Sequence, residues 1–247
     1  MVISGFWRRT LPLLRDAGFV LVIYFLFHTF AYASYYVPSG SMRPTLEVGD
    51  RLMVSKYAYG YSGQSLPIGM EFGKGRLLES LPRRGDVVVF DATTPDMGET
   101  TLVKRVIGLP GDRLQMISGR LWINGREVPR HLVRTVQTQA WGRPITAYDY
   151  EEALPGGRTH IIREFGDDYP LDNTHVYVVP AGHVFMMGDD RDYSADSRPA
   201  GGFGMVPMSH LIGRAEVITY SLAKCADINE DHCRWGLPLG RYASLIR

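Results

Sequence analysis

Three polar clusters in this sequence contain side chains that can carry out or support nucleophilic chemistry. The first is the segment Pro38-Ser39-Gly40-Ser41-Met42-Arg43-Pro44-Thr45-Leu46. Two serines flank a glycine between two prolines, and such a turn can hold a hydroxyl rigidly while another backbone approaches closely. A serine hydroxyl is a weak nucleophile until a base accepts its proton. Taken alone, the segment is equally compatible with a small polar linker, so the base has to be sought elsewhere.

The second cluster, Leu102 to Asp112, offers a lysine as that base. If this segment is a strand, Lys104 shares its face with the apolar residues Leu102 and Val106. Burial disfavours the ammonium form and lowers the pKa of a lysine. That pKa must fall from ~10.4 toward ~8 before the amine can act as a base near neutral pH. The alternative is a strand-end lysine whose stem covers apolar surface while its amine reaches water.

The third cluster, Met187 to Arg198, follows a short apolar run and is dense in hydrogen-bonding groups. It could be a solvated loop with internal ion pairs. It could also offer calcium ligands through Asp189, Asp190 and Asp192, although two arginines in the same loop argue against a cation. A Ser-His-Asp triad is a competing scheme for the chemistry. His183 lies near this cluster, but no histidine has a setting that requires a catalytic role.

Together, the three clusters resemble the motifs of bacterial type I signal peptidases. Residues 38–46 resemble the nucleophile motif P-S-x-S-M-x-P-T-L of that family. Residues 104–112 resemble its K-R-V-x-G-x-P-G-D motif, and residues 188–198 resemble its G-D-N-R-x-x-S-x-D-S-R motif. The segment Arg51 to Gly60 resembles a further family segment that follows the nucleophile. All four occur in the family's order, which makes the resemblance specific.

Two departures from the family pattern lie in the third motif. Asp190 stands where the family usually has asparagine, and the chain from Pro199 to Gly204 is longer and richer in glycine than expected. Peptidases that process precursors for conjugation share the same pair of reactive residues and remain an alternative. A membrane-tethered binding domain without catalysis is another, and it would require Ser41 and Lys104 to be coincidental.

The resemblance implies a serine endopeptidase that cleaves signal peptides after Ala-x-Ala sites and needs no cofactor or metal. Ser41 would be the nucleophile and Lys104 the general base. A neutral lysine can take the serine proton and, as ammonium, return a proton to the leaving amine. The Ser39 hydroxyl and the Ser41 backbone N–H would form the oxyanion hole. Donors of this kind lower the barrier by about 2.7–4 kcal/mol each.

The resemblance also implies supporting side chains. Ser194 would orient the Lys104 amine by a hydrogen bond, and Asp196 and Arg198 would form a supporting pair. An extended substrate would bind by strand addition, with shallow pockets for alternate side chains. We predict three residues as pocket walls: Met42, Leu46 and Val103.

An uncharged segment at residues 17–37 precedes the nucleophile. As a helix it would span about 31 Å, close to the roughly 30 Å of bilayer hydrocarbon. Arginines before it at 8, 9 and 15 place the N-terminus in the cytoplasm. Tyr32, Tyr35 and Tyr36 would lie at the outer interface. A cleavable signal peptide ending at Ala31-Tyr32-Ala33 and a buried core helix are the alternatives. The resemblance favours a retained anchor.

The rest of the chain has the pattern of a mainly β protein. Asn124-Gly125 between two apolar runs indicates a tight hairpin, whereas residues 60–76 and 143–173 are predicted as loops. The resemblance implies a cytoplasmic tail (1–16), an anchor (17–37), a catalytic core (38–112 and 181–247) and an inserted β subdomain (113–180). The predicted strands are Asp86–Phe90, Thr101–Ile107, Leu121–Ile123, Arg126–Val128, Val176–Val179, Val184–Met187 and Gly213–Ser221.

Charge and cysteine content restrict the partners. The chain has 27 basic and 26 acidic residues, which gives no basis for nucleic-acid binding. The expected partners are secretory preproteins, the lipid bilayer and a nearby secretion translocon, with the catalytic domain on the periplasmic side of the inner membrane. Cys225 and Cys233 would form a disulfide in an oxidising compartment; free thiols, or a metal site that also uses His232, are the alternatives.

Overall fold

An exposed apolar helix begins the fold. The computed structural model describes residues 3–65, 76–94, 98–200, 202–224, 232–233 and 235–246, with side chains described from Pro12 onward. Helix α1 (Ile3–Leu26) continues into a π-helical turn (Phe27–Ala31). Residues Pro12–Ala31 are apolar and long enough to cross a membrane, and only 6% of their most apolar window is buried. This exposure excludes a core helix.

The helix ends earlier than the uncharged segment does. Residues Tyr32–Tyr36 form strand β1, which pairs antiparallel with β2 (Asp50–Ser55). The predicted anchor at 17–37 therefore overlaps the helix only as far as Ala31. The three tyrosines predicted at the membrane interface lie on this strand instead of on the helix.

The largest sheet has eight strands and carries the residues of the three motifs. Its order is β1-β2-β14-β3-β4-β12-β13, and β15 also pairs with β14. The predicted strands around Val88, Lys104, Phe185 and Ala215 are all present. The further strands of this sheet are β3 (Val87–Thr94), β4 (Gly98–Gly108), β12 (His183–Met187), β13 (Val206–Pro207), β14 (Leu211–Ser221) and β15 (Ser244–Leu245).

Two smaller sheets contain the strands between Arg113 and Val178. One has the order β11-β5-β6-β7 and the other β10-β9-β8. The hairpin at Asn124-Gly125 is confirmed, with φ of 53° and 76° at its two turn residues. These strands are β5 (Arg113–Ile117), β6 (Arg120–Ile123), β7 (Arg126–Glu127), β8 (Arg130–Ala140), β9 (Arg143–Ala153), β10 (Thr159–Glu164) and β11 (Tyr177–Val178).

The prediction of a loop over 143–173 is wrong for β9 and β10. Polar composition of this kind usually indicates solvent exposure, yet several of these polar residues are buried in ion pairs. Asp149 is fully buried and accepts hydrogen bonds from Arg163 at 2.7 and 3.0 Å. Strands therefore dominate the described part of the chain, and the predicted mainly β fold with an N-terminal apolar helix is confirmed.

Candidate active site

The loop between β1 and β2 carries Ser41. Backbone bonds close its base, since Val37 N–H donates to Asp50 O at 3.0 Å and Gly49 N–H donates to Val37 O at 3.0 Å. A helical turn follows the serine, with Leu46 N–H donating to Met42 O at 2.8 Å. These bonds fix the loop of residues 37–49 on the edge of the largest sheet, as its glycine and proline content predicts. It is called the nucleophile loop after the role predicted for Ser41.

Strand β4 brings Lys104 to this loop. Lys104 Nζ donates a hydrogen bond of 2.5 Å to Ser41 Oγ. Both residues are buried, with exposed fractions of 3% for Lys104 and 7% for Ser41. The structure therefore brings together the two residues that the sequence indicates as nucleophile and base, and no described histidine takes the place of Lys104 beside Ser41.

Burial changes the acid–base behaviour of Lys104. Loss of hydration lowers the pKa of its amine to about 8, against the opposing attraction of Asp196 and Asp189. The charge of Arg198 adds to the lowering. Desolvation disfavours the ammonium form, so a substantial fraction of this lysine is neutral slightly above neutral pH.

Ser39 lies beside Ser41, the predicted nucleophile. Its Oγ is 3.4 Å from Ser41 Oγ, and the residue is exposed. The Ser41 backbone N–H donates to no group in the described part of the chain. Both donors predicted for the oxyanion hole therefore lie next to Ser41 Oγ.

The loop after β12 packs against the back of Ser41. Asp190 N–H donates to Ser41 O at 3.1 Å. A Cβ at Gly188 would lie under 3.0 Å from Ser41 O and from Ser194 Oγ. Only glycine leaves room for this approach, so the glycine of the third motif is needed for Ser41 to reach its position.

Ser194 differs from its predicted role. Its Oγ is buried and has no hydrogen-bond partner among the described residues. The predicted bond to the Lys104 amine is therefore absent, and that amine donates to Ser41 Oγ instead.

Asp196 and Arg198 form the predicted pair beneath the dyad. Arg198 Nε donates to Asp196 Oδ1 at 2.9 Å, and Nη2 donates to Oδ2 at 2.8 Å. Both are fully buried. Although burial raises the pKa of Asp196, the Arg198 charge and its hydrogen bonds hold that pKa below its usual value. Asp196 also accepts a bond from Gly188 N–H at 3.2 Å, so the pair supports the glycine that contacts Ser41.

A second buried ion pair was not predicted from the sequence. Arg105 donates to Asp189 at 2.8 and 2.7 Å in a bidentate pair, and each side chain is 1% exposed. It ties the strand of Lys104 to the loop of Gly188. Both residues lie inside the recognised motifs. Their opposite charges were the one feature of the sequence from which this ion pair could have been predicted.

The loop aspartates do not form a calcium site. Asp189 is occupied by Arg105, and Asp192 Oδ2 accepts from Phe165 N–H at 2.7 Å. Throughout the described ranges, no group of three histidine, cysteine or acidic residues is arranged to hold a metal ion. Asp190, which stands where the resembled family usually has asparagine, is buried, and this burial raises its pKa to about 8.

The three predicted pocket residues share one apolar cluster beside the nucleophile loop. Met42 and Leu46 are fully buried, with exposed fractions of 0%. Val103 is partly exposed. Met42 and Leu46 therefore lie behind the surface and not on it, because the turn after Ser41 directs them into the core.

Two predictions lie partly outside the described residues. Cys233 is disulfide-bonded, but Cys225 is not among the described residues, so their pairing stays a prediction. The predicted loop at 60–76 is described only at its ends, where Arg76 donates to the carbonyls of Gly60 and Leu211 at 2.6 Å each.

Comparison with known proteins identifies relatives over most of the chain. The family described as "Signal peptidase, peptidase S26" matches residues 11–220. Signal peptidase I of Rickettsia canadensis is 37% identical over 215 residues, covering 84% of this chain and 78% of the relative. That of Rickettsia conorii is 36% identical over 212 residues, covering 83% and 77%. A crystal structure of a signal peptidase I from Enterococcus faecalis V583 aligns with 24% identity and a TM-score of 0.31, covering 54% of this chain and 95% of that one.

Proposed function

Because this chain belongs to the signal peptidase I enzymes of peptidase family S26, we propose that it removes N-terminal signal peptides from exported preproteins with a Ser41–Lys104 dyad. One observation carries the proposal. A buried lysine amine, with its pKa lowered to about 8, lies 2.5 Å from a serine hydroxyl on a rigid loop. Such an amine can accept the serine proton near neutral pH.

The reaction follows from this contact. Neutral Lys104 takes the proton from Ser41 Oγ as that oxygen attacks the carbonyl carbon of the scissile bond. The resulting ammonium protonates the leaving amine, and the C–N bond breaks to give an ester on Ser41. Lys104, neutral again, takes a proton from a water that attacks the ester carbonyl. The ammonium then returns a proton to Ser41 Oγ as the ester C–O bond breaks, which frees the serine and releases the signal peptide. The Ser39 hydroxyl and the Ser41 N–H stabilise the oxyanion in both steps.

The edge of β4 offers a place for the substrate. β4 pairs with β3 along residues 98–105, but with β12 only from Arg105 onward. Residues 102–104 thus leave one edge unpaired by any described strand, next to the nucleophile. An extended peptide can add to this edge by backbone hydrogen bonds. Val103 would contact the small side chains of an Ala-x-Ala site, with Met42 and Leu46 behind it.

The apolar helix fits a substrate that is itself in the membrane. Ser41 follows closely after Ala31, where the helix ends. Arginines before the helix favour a cytoplasmic N-terminus. The catalytic core would then face the periplasm at the surface of the inner membrane, near the translocon that delivers preproteins.

The pH dependence of cleavage tests the dyad. Below the Lys104 pKa of about 8, the ammonium form dominates and cannot accept the Ser41 proton. We therefore expect kcat/KM for an Ala-x-Ala peptide to rise about tenfold per pH unit below pH 8 and to level off above it. Stopped assays between pH 6 and pH 10 measure this.

Asp190 provides the control for this profile, because its pKa is also raised to about 8 by burial. Asp190→Asn restores the family's usual residue and removes that titration. The midpoint should remain near pH 8 in this variant. A midpoint that disappears would assign the titration to Asp190 and contradict Lys104 as the base, and a wild type that cuts no such peptide would contradict the proposed function.

A further inference from the structure

The end of the N-terminal helix is held by the segment that follows β2. The last carbonyls of an α-helix have no partner within the helix. Here four successive carbonyls find partners on two residues. Lys56 Nζ donates to His28 O and Thr29 O at 3.2 Å each. Tyr61 Oη donates to Phe30 O at 2.8 Å, and the Lys56 backbone N–H donates to Ala31 O at 2.9 Å.

The contact of Lys56 with the helix is buried. Lys56 is 7% exposed and Thr29 is 4% exposed. No carboxylate in the described ranges pairs with Lys56 within 4.0 Å, so helix carbonyls are the partners of its ammonium. A cation is favoured at a helix C-terminus because the aligned peptide dipoles place negative charge there. The Lys56 ammonium is therefore suited to bind the carbonyls at this helix end.

Aromatic rings extend the contact around the helix end. Tyr61 packs edge-on against Phe30 with ring centroids 6.1 Å apart. Tyr32 and Tyr57 meet edge-on at 5.6 Å, and their hydroxyls are 2.7 Å apart. Rings of this kind favour the membrane–water interface. The contact thus lies where an inserted helix would leave the bilayer.

We propose that Lys56 and Tyr61 form a helix clamp, which sets the height and tilt of the Ser41–Lys104 dyad above the bilayer. The inference rests on the proposed function and on insertion of the apolar helix. The helix passes directly into β1, and β1 leads into the nucleophile loop. A fixed junction therefore determines which peptide bond of a membrane-embedded preprotein reaches Ser41. Lys56 and Tyr61 are positioning residues that do not touch the dyad.

The test compares embedded and soluble substrates with the full chain and a Lys56→Met/Tyr61→Phe variant. The enzyme is reconstituted in phosphatidylethanolamine–phosphatidylglycerol vesicles with preproteins whose Ala-x-Ala site is moved by two-residue steps from the hydrophobic segment. A soluble peptide with the same cleavage sequence is assayed in detergent. We expect the variant to cut the preferred embedded preprotein about 10-fold to 100-fold more slowly, to lose the preference for one site position, and to cut the peptide at the wild-type rate.

Two further variants make the result specific. Lys56→Arg keeps a cationic donor at the helix end and should retain the wild-type site preference. Tyr36→Phe removes a hydroxyl from β1, the strand that follows the helix, and should change the cleavage rate of neither substrate. If the double variant does not fold, Tyr61→Phe alone should show a smaller loss, confined to embedded preproteins.

If the double variant loses the same factor in cleavage rate on both substrates, the helix clamp only stabilises the fold. If it cuts both substrates at the wild-type rate, the helix clamp does not position the dyad. Either result overturns the inference while leaving the proposed function intact. A wild type that cuts the soluble peptide but shows no preference among embedded sites also overturns it. A wild type that cuts neither substrate overturns the proposed function, and the inference with it.

Discussion

A Lys104→Met variant is expected to lose cleavage activity on the order of 10⁴-fold, because methionine cannot accept the Ser41 proton. Methionine is close to lysine in length and is apolar, so it suits the buried position, which is 3% exposed. The fold should survive the substitution, with no fall in Tm. The measurements are kcat/KM on an Ala-x-Ala peptide at pH 9, where most of the wild-type lysine is neutral, and thermal unfolding of both proteins.

Lys224 provides the matched control for this substitution. It is an exposed lysine that ends the described range 202–224, and Lys224→Met should cleave at the wild-type rate. If Lys104→Met is folded and retains more than a few per cent of the activity, the base is another group and the proposed mechanism is wrong.

A Gly188→Ala variant is expected to lose about 10²-fold or more in kcat, since a misplacement of about 1 Å at a reacting group can cost that much. The added methyl would lie under 3.0 Å from Ser41 O, a backbone atom that cannot turn aside as a side chain can. The nucleophile loop must therefore shift away from Lys104. Steady-state kinetics on the peptide substrate, together with thermal unfolding, measures the effect.

The matched controls separate the two contacts at Gly188. A Cβ added at Gly18 would meet no heavy atom within 4 Å, so Gly18→Ala should leave cleavage of the soluble peptide unchanged. Adding Ser194→Gly to Gly188→Ala removes the clash with the serine side chain but leaves the clash with Ser41 O. Activity should stay low in this double variant. Full recovery would show that Ser194, and not the nucleophile loop, is what the methyl displaces.

The dyad could be predicted from the sequence because each partner stands in a recognisable motif. Alternation along β4 places Lys104 among apolar residues, and this is the physical cause of its lowered pKa. Ser41 lies in the loop between β1 and β2, and it meets Lys104 because this loop packs into the apolar cluster that Val103 of β4 also contacts. The local sequence pattern predicts neither the strand order nor the distance between Ser41 and Lys104. Their pairing was predicted only from the resemblance of the motifs.

Strands β9 and β10 could not be predicted because several of their buried positions are polar. Asp149 and Arg163 satisfy each other inside the sheets, and hydrophobic alternation cannot reveal such pairs. The hydrogen bond of Ser194 could not be predicted either, since a position in a motif does not determine the direction of a hydroxyl group. The helix end was misplaced for a related reason. Hydropathy continues to Val37, whereas pairing of β1 with a strand further along the chain ends the helix at Ala31.

Cleavage of a purified preprotein tests whether Ser41 is the residue that cuts signal peptides. Wild type and Ser41→Ala are incubated in detergent with a preprotein bearing one Ala-x-Ala site, and mass spectrometry locates the new N-terminus. We predict a single cut after the second alanine by wild type and none by the folded Ser41→Ala variant. A folded wild type that leaves the preprotein intact, or a Ser41→Ala variant that cuts at the same site and rate, would contradict the account.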